Sequence, residues 1–309
     1  MAQKNKFLTL SLPALLVAVL FFASLAAWNY WQLRKQFLQK KAAWAVLEKQ
    51  VAAAANNFHQ EAGIVIKDLS MGWEIKVNED KLFPSASMVK VPVMAAYMLA
   101  SSLGKIDLKR NLTLRNRDRA LGSGILKDYA PGTQFSIEDL IEIMIVHSDN
   151  TAANMLIGYM GFEPLNAYFR KLGLENTNLS RKMMDFKSRK AGVENYTSAR
   201  DTAFLLEEIY RNRLVNKAYS QRCLAILSRQ KIRDRIPARL PADTPVAHKT
   251  GLERGICHDA GIIFTSRGDL LICALTKHNY KTARPAKKFI SNLALYVYNY
   301  YAAGASSRR

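Results

Sequence analysis

The sequence predicts an α/β (α+β) protein: an antiparallel sheet flanked by helices, an all-helical lobe inserted into it, and a transmembrane helix ahead of both. Three observations carry this. Strand-like segments stand near both ends of the chain, while helical patterns fill its middle. No strand–helix–strand alternation follows the first strands, which disfavours a doubly wound parallel sheet. Residues Phe7–Leu33 carry no charged side chain, a run longer than the ~20 apolar residues a spanning helix needs.

Residues 1–33 form the first element, a membrane anchor or uncleaved signal. Trp28, Tyr30 and Trp31 close the apolar run, and amphipathic rings favour the membrane–water interface. Ser24-Leu25-Ala26 offers a small-x-small cleavage site, so a cleaved signal and a secreted product is the alternative. No cysteine stands nearby to carry a lipid. Lys4 and Lys6 precede the run, whereas Arg34, Lys35, Lys40 and Lys41 follow it. By charge bias alone the following flank belongs in the cytoplasm.

Residues 34–41 read as a linker and 42–309 as the folded domain, with an α/β lobe of 42–90 and 235–309 and a helical lobe of 91–234. Leu33, Phe37, Ala43, Val46, Leu47 and Val51 fall near helical spacing, so the linker runs into a helix. Gly63–Leu69 and Trp73–Val77 read as strands joined at Ser70-Met71-Gly72. Helical patterns then dominate from Met88 to about Gln230. In Ser136-Ile137-Glu138-Asp139 a serine cap is followed three residues later by an acid, a helix start. Strands return at Val246–Thr250, Gly255–Thr265 and Leu270–Thr276, and Ala286–Tyr301 closes the chain as an apolar-striped helix. A turn at Ser266–Asp269 would set Cys273 opposite about Ile262 rather than Cys257. Cys223, Cys257 and Cys273 are too few and too irregular for a disulfide framework and read as small buried residues.

The net charge is +20. Nucleic-acid binding predicts basic clusters interleaved with aromatics on one face. Here the basic residues are scattered and no nucleic-acid-binding motif occurs, so no nucleic-acid partner is expected. Attraction to anionic lipid or a wall polymer fits a tethered domain better. His59, His147, His248, His258 and His278 are isolated from one another, so no metal site and no cofactor is expected, and His248 packs or hydrogen-bonds beside Lys249.

Three short motifs carry the chemistry. Ser-x-x-Lys occurs three times, beginning at Ser87, Ser102 and Ser228, where roughly one chance match is expected. Ser148-Asp149-Asn150 and Lys249-Thr250-Gly251 each occur once, against a chance expectation of roughly 0.05 to 0.1 each. A serine hydroxyl needs a base in contact to become a nucleophile. Lys90, one helical turn beyond Ser87, supplies it if desolvation and the nearby Lys249 drive it toward the neutral form. The helix N-terminus favours negative charge beside Ser87. Gly251 permits close backbone approach at a strand edge.

In this order, and with the flanks Phe83-Pro84-Ser85-Ala86, Thr151-Ala152-Ala153-Asn154 and His248, the chain resembles class A β-lactamases, within the penicillin-recognising serine hydrolases. The resemblance covers about Ala42 to Tyr300. It implies an acyl-enzyme formed on Ser87, with Lys90 as base and Ser148 relaying a proton to the departing nitrogen. Asn150 would hold the substrate's side-chain amide, and Asp149 would pin its own loop. Lys249, Thr250 and Arg235 would meet the substrate carboxylate. The N–H groups of Ser87 and Leu252 would receive the oxyanion. The implied substrate is a β-lactam or a peptidoglycan stem peptide, which sets the catalytic domain outside the membrane, in the cell envelope, against the charge bias.

One departure stands out. The family's loop of the type Arg-x-Glu-Pro-x-x-Asn supplies the glutamate that activates water for deacylation. Here Leu179-Ser180-Arg181-Lys182-Met183-Met184-Asp185 takes its place, and Met183 falls where the glutamate belongs. Asp185 is the nearest carboxylate, either as a substitute base or as a loop or capping acid, and Glu194 is more distant. The expectation is acylation with slow hydrolysis. A carboxypeptidase-like amidase on stem peptides and a membrane-tethered sensor that acylates without turnover are the alternatives. The walls of the substrate pocket are expected from loops such as Ala120–Tyr129.

Overall fold

The computed structural model describes residues 12–302. Lys4, Lys6 and the start of the uncharged run lie outside them. The chain enters as one helix, α1 (Leu12–Asn57), which is unbroken through residues 34–41. The expected linker is therefore helical, because Ala, Gln, Leu, Lys and Arg supply good helix formers and neither Gly nor Pro interrupts them after Pro13. At 1.5 Å per residue α1 is about 69 Å long. Leu12 to Leu38 is largely exposed, whereas Trp44, Leu47 and Val51 are buried. Of the other residues at helical spacing, Leu33, Phe37 and Val46 are exposed.

From α1 the chain makes the antiparallel pair β1 (Glu61–Asp68) and β2 (Glu74–Val77), then the short strand β3 (Phe83–Pro84). A 3₁₀ turn, Ala86–Val89, leads directly into α2 (Lys90–Ser102). Next come the ribbon β4 (Asn111–Thr113) with β5 (Gln134–Ser136) and the helices α3 (Ile137–Val146), α4 (Asn150–Met160), α5 (Phe162–Lys171) and α6 (Phe186–Lys190). Strand β6 (Tyr196–Thr197) returns to pair with β3, so two short ribbons interrupt the helical part. Helices α7 (Ala199–Tyr210) and α8 (Lys217–Ser228) follow, then β7 (Val246–Glu253), β8 (Ile256–Ile263), β9 (Leu270–Lys277) and α9 (Arg284–Ala302). The Ser136–Asp139 capping box forms as expected: the Ser136 hydroxyl accepts the Asp139 N–H at 3.1 Å.

The five-stranded sheet has the order β2-β1-β9-β8-β7, antiparallel throughout. Both faces are covered, so β8 is buried at every position. Val65, Leu271, Cys273 and Leu275 join the helices α2–α5, α7 and α8 in one core. Ile64, Ile66, Ile272 and Ala274 join α1 and α9 in the other. Cys273 pairs with Ala260 rather than Ile262, because the chain spends six residues between β8 and β9 instead of a tight turn. The displacement is two residues, so every side chain keeps its face. All three cysteines are free and buried.

Helix α1 docks by aromatic packing, Trp44 against Tyr300 and Trp73, and by one ion pair. Lys40 Nζ lies 3.0 Å from the buried Asp68 carboxylate, which also accepts from Tyr300. Cutting Leu47, 1% exposed, to alanine should cost about 2–5 kcal/mol. Leu38→Ala, at a site 54% exposed, should stay within about 0.5 kcal/mol. Urea unfolding of the full chain in detergent checks the contrast. Equal effects would mean that α1 does not dock.

Candidate active site

Ser87 stands in the 3₁₀ turn before α2, not in the α-helix itself. The three-residue repeat of that turn eclipses positions i and i+3, which sets Lys90 over Ser87. Ala86 enters the turn at φ 45°, a left-handed conformation that costs a non-glycine residue of order 1–3 kcal/mol. The segment ahead of it is clamped on two sides. His258 Nδ1 accepts the Thr276 N–H, so Nε2 carries the proton and donates to the Pro84 carbonyl at 2.8 Å. Burial pushes His258 down to about 4, which keeps it neutral. On the other side, the Ser85 N–H donates to the Asn195 carbonyl at 2.7 Å.

Lys90 and Lys249 meet at Ser148. Lys90 Nζ donates to the Ser148 carbonyl at 2.6 Å, to Asn150 Oδ1 at 2.8 Å and, more weakly, to Ser148 Oγ at 3.5 Å. Lys249 Nζ donates to Ser148 Oγ at 2.8 Å and to the Thr250 carbonyl at 2.8 Å. Ser148 has φ 52°, a second left-handed residue at the heart of the site. Both lysines are fully buried, and all of these partners are uncharged. Desolvation therefore dominates: burial pushes Lys90 down to about 7, against the pull of Asp149 and Glu253. Lys249 is held well below the usual lysine range by burial, then by Lys90 and Arg235. No hydrogen bond joins Ser87 Oγ to Lys90, whose Nζ is turned to Ser148 and Asn150.

The remaining residues fall into place by what they touch. Asp149 Oδ2 accepts the N–H groups of Ile125 (2.5 Å) and Leu126 (2.8 Å), and Oδ1 caps α4 through Ala152, so it pins the loop it faces. Asn150 uses both ends of its amide within the protein, Oδ1 on Lys90 and Nδ2 on the Leu121 carbonyl. Gly251 faces Met88, next to the serine: an added Cβ would sit 3.2 Å from Met88 Cγ and 3.1 Å from His258 Cδ2. Leu252 follows on β7 with its side chain 48% exposed. Arg235 is buried, with Asp234 at 2.8 Å and Cys257 Sγ at 3.2 Å. Among the described residues no group of His, Cys, Asp and Glu is arranged to hold a metal.

Asp185, weighed as a substitute base, serves as the N-cap of α6. Its Oδ1 accepts the Ser188 N–H at 3.0 Å and its Oδ2 the Ser188 hydroxyl at 2.6 Å. These bonds hold its carboxyl below the usual range, the reverse of what a base poised near neutral pH needs. Met183 is buried, its backbone held at both ends by Asn154: the N–H donates to Oδ1 at 2.8 Å and Nδ2 donates to the carbonyl at 3.2 Å.

Arg181 and Glu194 were visible in the sequence as parts of the Met183 loop, but the contacts by which they and several other residues hold the site had no sequence signal. Arg181 is buried and joins Glu194 (2.6 Å) and Glu253 (3.2 Å), with Arg189 bridging the same two acids. This ties the Met183 loop to the end of β7. Asn195 Oδ1 accepts the Ser180 and Arg181 N–H groups. Asp259, buried, takes His248 Nδ1 at 2.9 Å and the Ile236 N–H at 3.0 Å, fixing the start of the turn that carries Arg235.

An α/β lobe with inserted helices, presenting a serine–lysine turn, a serine loop and a lysine-bearing strand around one buried cluster, defines the class as hydrolases of the β-lactamase type. The family model of the β-lactamase enzyme family matches residues 46–301, and the chain belongs to that family, among its class A members. It is 26% identical over 257 residues to β-lactamase VEB-1 of Pseudomonas aeruginosa, covering 77% of this chain and 85% of that protein. A structure of PBP-A, a leucine-to-glutamate variant described as an acyl-enzyme complex with penicillin G, is 30% identical with a TM-score of 0.77. That match covers 84% of this chain and 97% of the other. An ancestral class A β-lactamase is 26% identical, with a TM-score of 0.75 over 82% of this chain and 99% of its own.

Arg181→Ala should destabilise the fold by about 3–5 kcal/mol, the usual cost of stripping one partner from a buried ion-pair network. It should also accelerate amide exchange across residues 179–195. Chemical denaturation with hydrogen exchange checks both, and an unchanged exchange pattern would contradict the tie drawn between loop and strand.

Proposed function

We propose that Ser87 is acylated by β-lactams, with Lys90 as its base, and that the acyl-enzyme is hydrolysed slowly. The observation that carries this is the Lys90–Ser148–Lys249 cluster, two buried amines on one hydroxyl with no carboxylate among their hydrogen-bond partners. An amine held near 7 is matched to take and return a proton at neutral pH. Its Nζ reaches Ser87 by giving up one of its present acceptors when substrate binds. Ser148 then protonates the departing nitrogen, drawing on Lys249. Lys249, Thr250 and Arg235 attract the substrate carboxylate, Asn150 shares its amide with the substrate side chain, and the N–H groups of Ser87 and Leu252 receive the oxyanion. Gly251 keeps the strand close to the serine.

Slow turnover rests on Met183, whose thioether cannot accept a proton, and on Asp185, whose carboxylate is committed to its helix cap. The same two residues favour a second reading, a penicillin-binding peptidase or sensor acting on wall peptides. The PBP-A variant is a relative for which an acyl-enzyme complex with penicillin G is described. The exposed half of α1 supports tethering to a bilayer, with the catalytic domain on the outer side where wall peptides and β-lactams are met. The apolar N-terminal part of that helix is long enough to span.

Intact-protein mass spectrometry with penicillin over time tests the reading. A stable adduct is expected, absent in Ser87→Ala. Met183→Glu should shorten the adduct's lifetime about 10²–10⁴-fold. Rapid clearance by the unaltered chain would overturn the slow-turnover claim.

The adduct's rate of formation should also depend on pH. The folded Lys90 stands at about 7, below its ordinary 10.5, so its neutral, basic form grows as pH rises through about 7. Acylation should climb across that window and level above it. A rate independent of pH between 6 and 9 would remove Lys90 from the role of base.

A further inference from the structure

A cavity of about 470 Å³ opens beside α4, bounded by residues 112–118 and by the Met183 loop. That volume is within the range of small-molecule sites. Its charged lining is Arg115, Arg117, Lys182 and one acid, Asp118. Asp118 is already engaged, its Oδ2 accepting the Arg115 backbone N–H at 3.1 Å. Among the described residues none of the three cations has a carboxylate within 4 Å. Tyr159 and Phe162 supply an apolar face.

A second cavity, of about 330 Å³, makes the contrast. It also carries three cations, Lys67, Lys76 and Arg200, but each is paired: Lys67 with Glu74 and Glu207, Lys76 with Glu74, Arg200 with Glu79 and Asp80. In that cavity the cations meet acids from the protein itself. In the α4 cavity they do not, so its lining is net positive even with Asp118 counted, with Arg115 and Arg117 open to solvent and to a ligand.

We propose that the α4 cavity binds a small multivalent anion, carrying two or more carboxylate or phosphate groups on a compact framework. Three unpaired cations lining one concavity raise the local concentration of such an anion, and arginine forks hold carboxylate or phosphate bidentately. Lys182 lies across α4, its Nζ in van der Waals range, 3.6 Å, of where a Cβ on Gly158 would stand. Lys182 also sits between Arg181 and Met183, and Met183 is bonded to Asn154 on α4. An anion on Lys182 therefore steadies the same loop that Arg181 ties to the end of β7.

Isothermal titration calorimetry of the full chain in detergent, without any β-lactam, tests binding separately from acylation. Tripolyphosphate and citrate serve as probes, with chloride at matched ionic strength as the control. Saturable binding of either supports the site: citrate marks a carboxylate ligand and tripolyphosphate alone a phosphate one. Arg117→Glu and Lys182→Gln, both outside the catalytic cluster, should each weaken it at least tenfold while unfolding at the parent temperature. Should one variant fail to fold, the other decides. Heats no larger than those of chloride, or equal affinity in a folded variant, would overturn the proposal. Saturating probe should also slow amide exchange at residues 181–185 in the parent and not in Lys182→Gln, and unchanged exchange would overturn the link to the loop.

Discussion

Two lysine side chains are buried against one serine, and most of the site exists to make that tolerable. Placing a charge in a low-dielectric interior costs several kcal/mol unless it is paired or neutralised. Lys90 and Lys249 have only hydroxyl, amide and carbonyl acceptors. The nearest acids act at a distance: Asp149 and Glu253 pull on Lys90, and Asp259 pulls on Lys249. The outcome is an amine that sheds its proton near neutrality, which a directly paired lysine would not do.

Keeping carboxylates out of contact while holding the geometry demands rigid support. Left-handed residues stand at both serine turns, Ala86 before Ser87 and Ser148 itself, and each is over-determined by its neighbours. His258 and Asn195 clamp the strand before Ser87. Asp149 anchors the loop opposite Ser148 through two backbone N–H groups. Other acids sit one layer back, where the half-buried Glu194 and Glu253 neutralise Arg181 and Arg189 and the buried Asp259 steadies His248. Strain at the centre persists because the surrounding layer fixes it.

Helix α1 belongs to the same economy of rigid parts. Its C-terminal half packs on α9 and Trp73 and pins Lys40 to the buried Asp68, so the exposed half projects from a fixed platform and not from a flexible tether. The division into anchor, linker and domain was read from composition. It misses that helix propensity carries through the charged residues between them.

What the sequence determined alone is the inventory of chemistry and its order: Ser87 with Lys90, Ser148 with Asn150, Lys249 with Gly251, and Met183 where a glutamate is expected. Period-2 and helical patterns also gave the sheet, the Ser136 cap and the closing helix, since these depend on neighbours within a few residues. Tertiary structure decided everything that joins distant positions. It chose the capping role for Asp185, turned Lys90 from Ser87 toward Ser148 and Asn150, and moved the partner of Cys273 by two residues. It also built the Arg181 network, which no local pattern announces. Hydrogen bonds and burial between residues far apart in the chain leave no local signature, because the energy that selects them is realised only when the lobes close on each other.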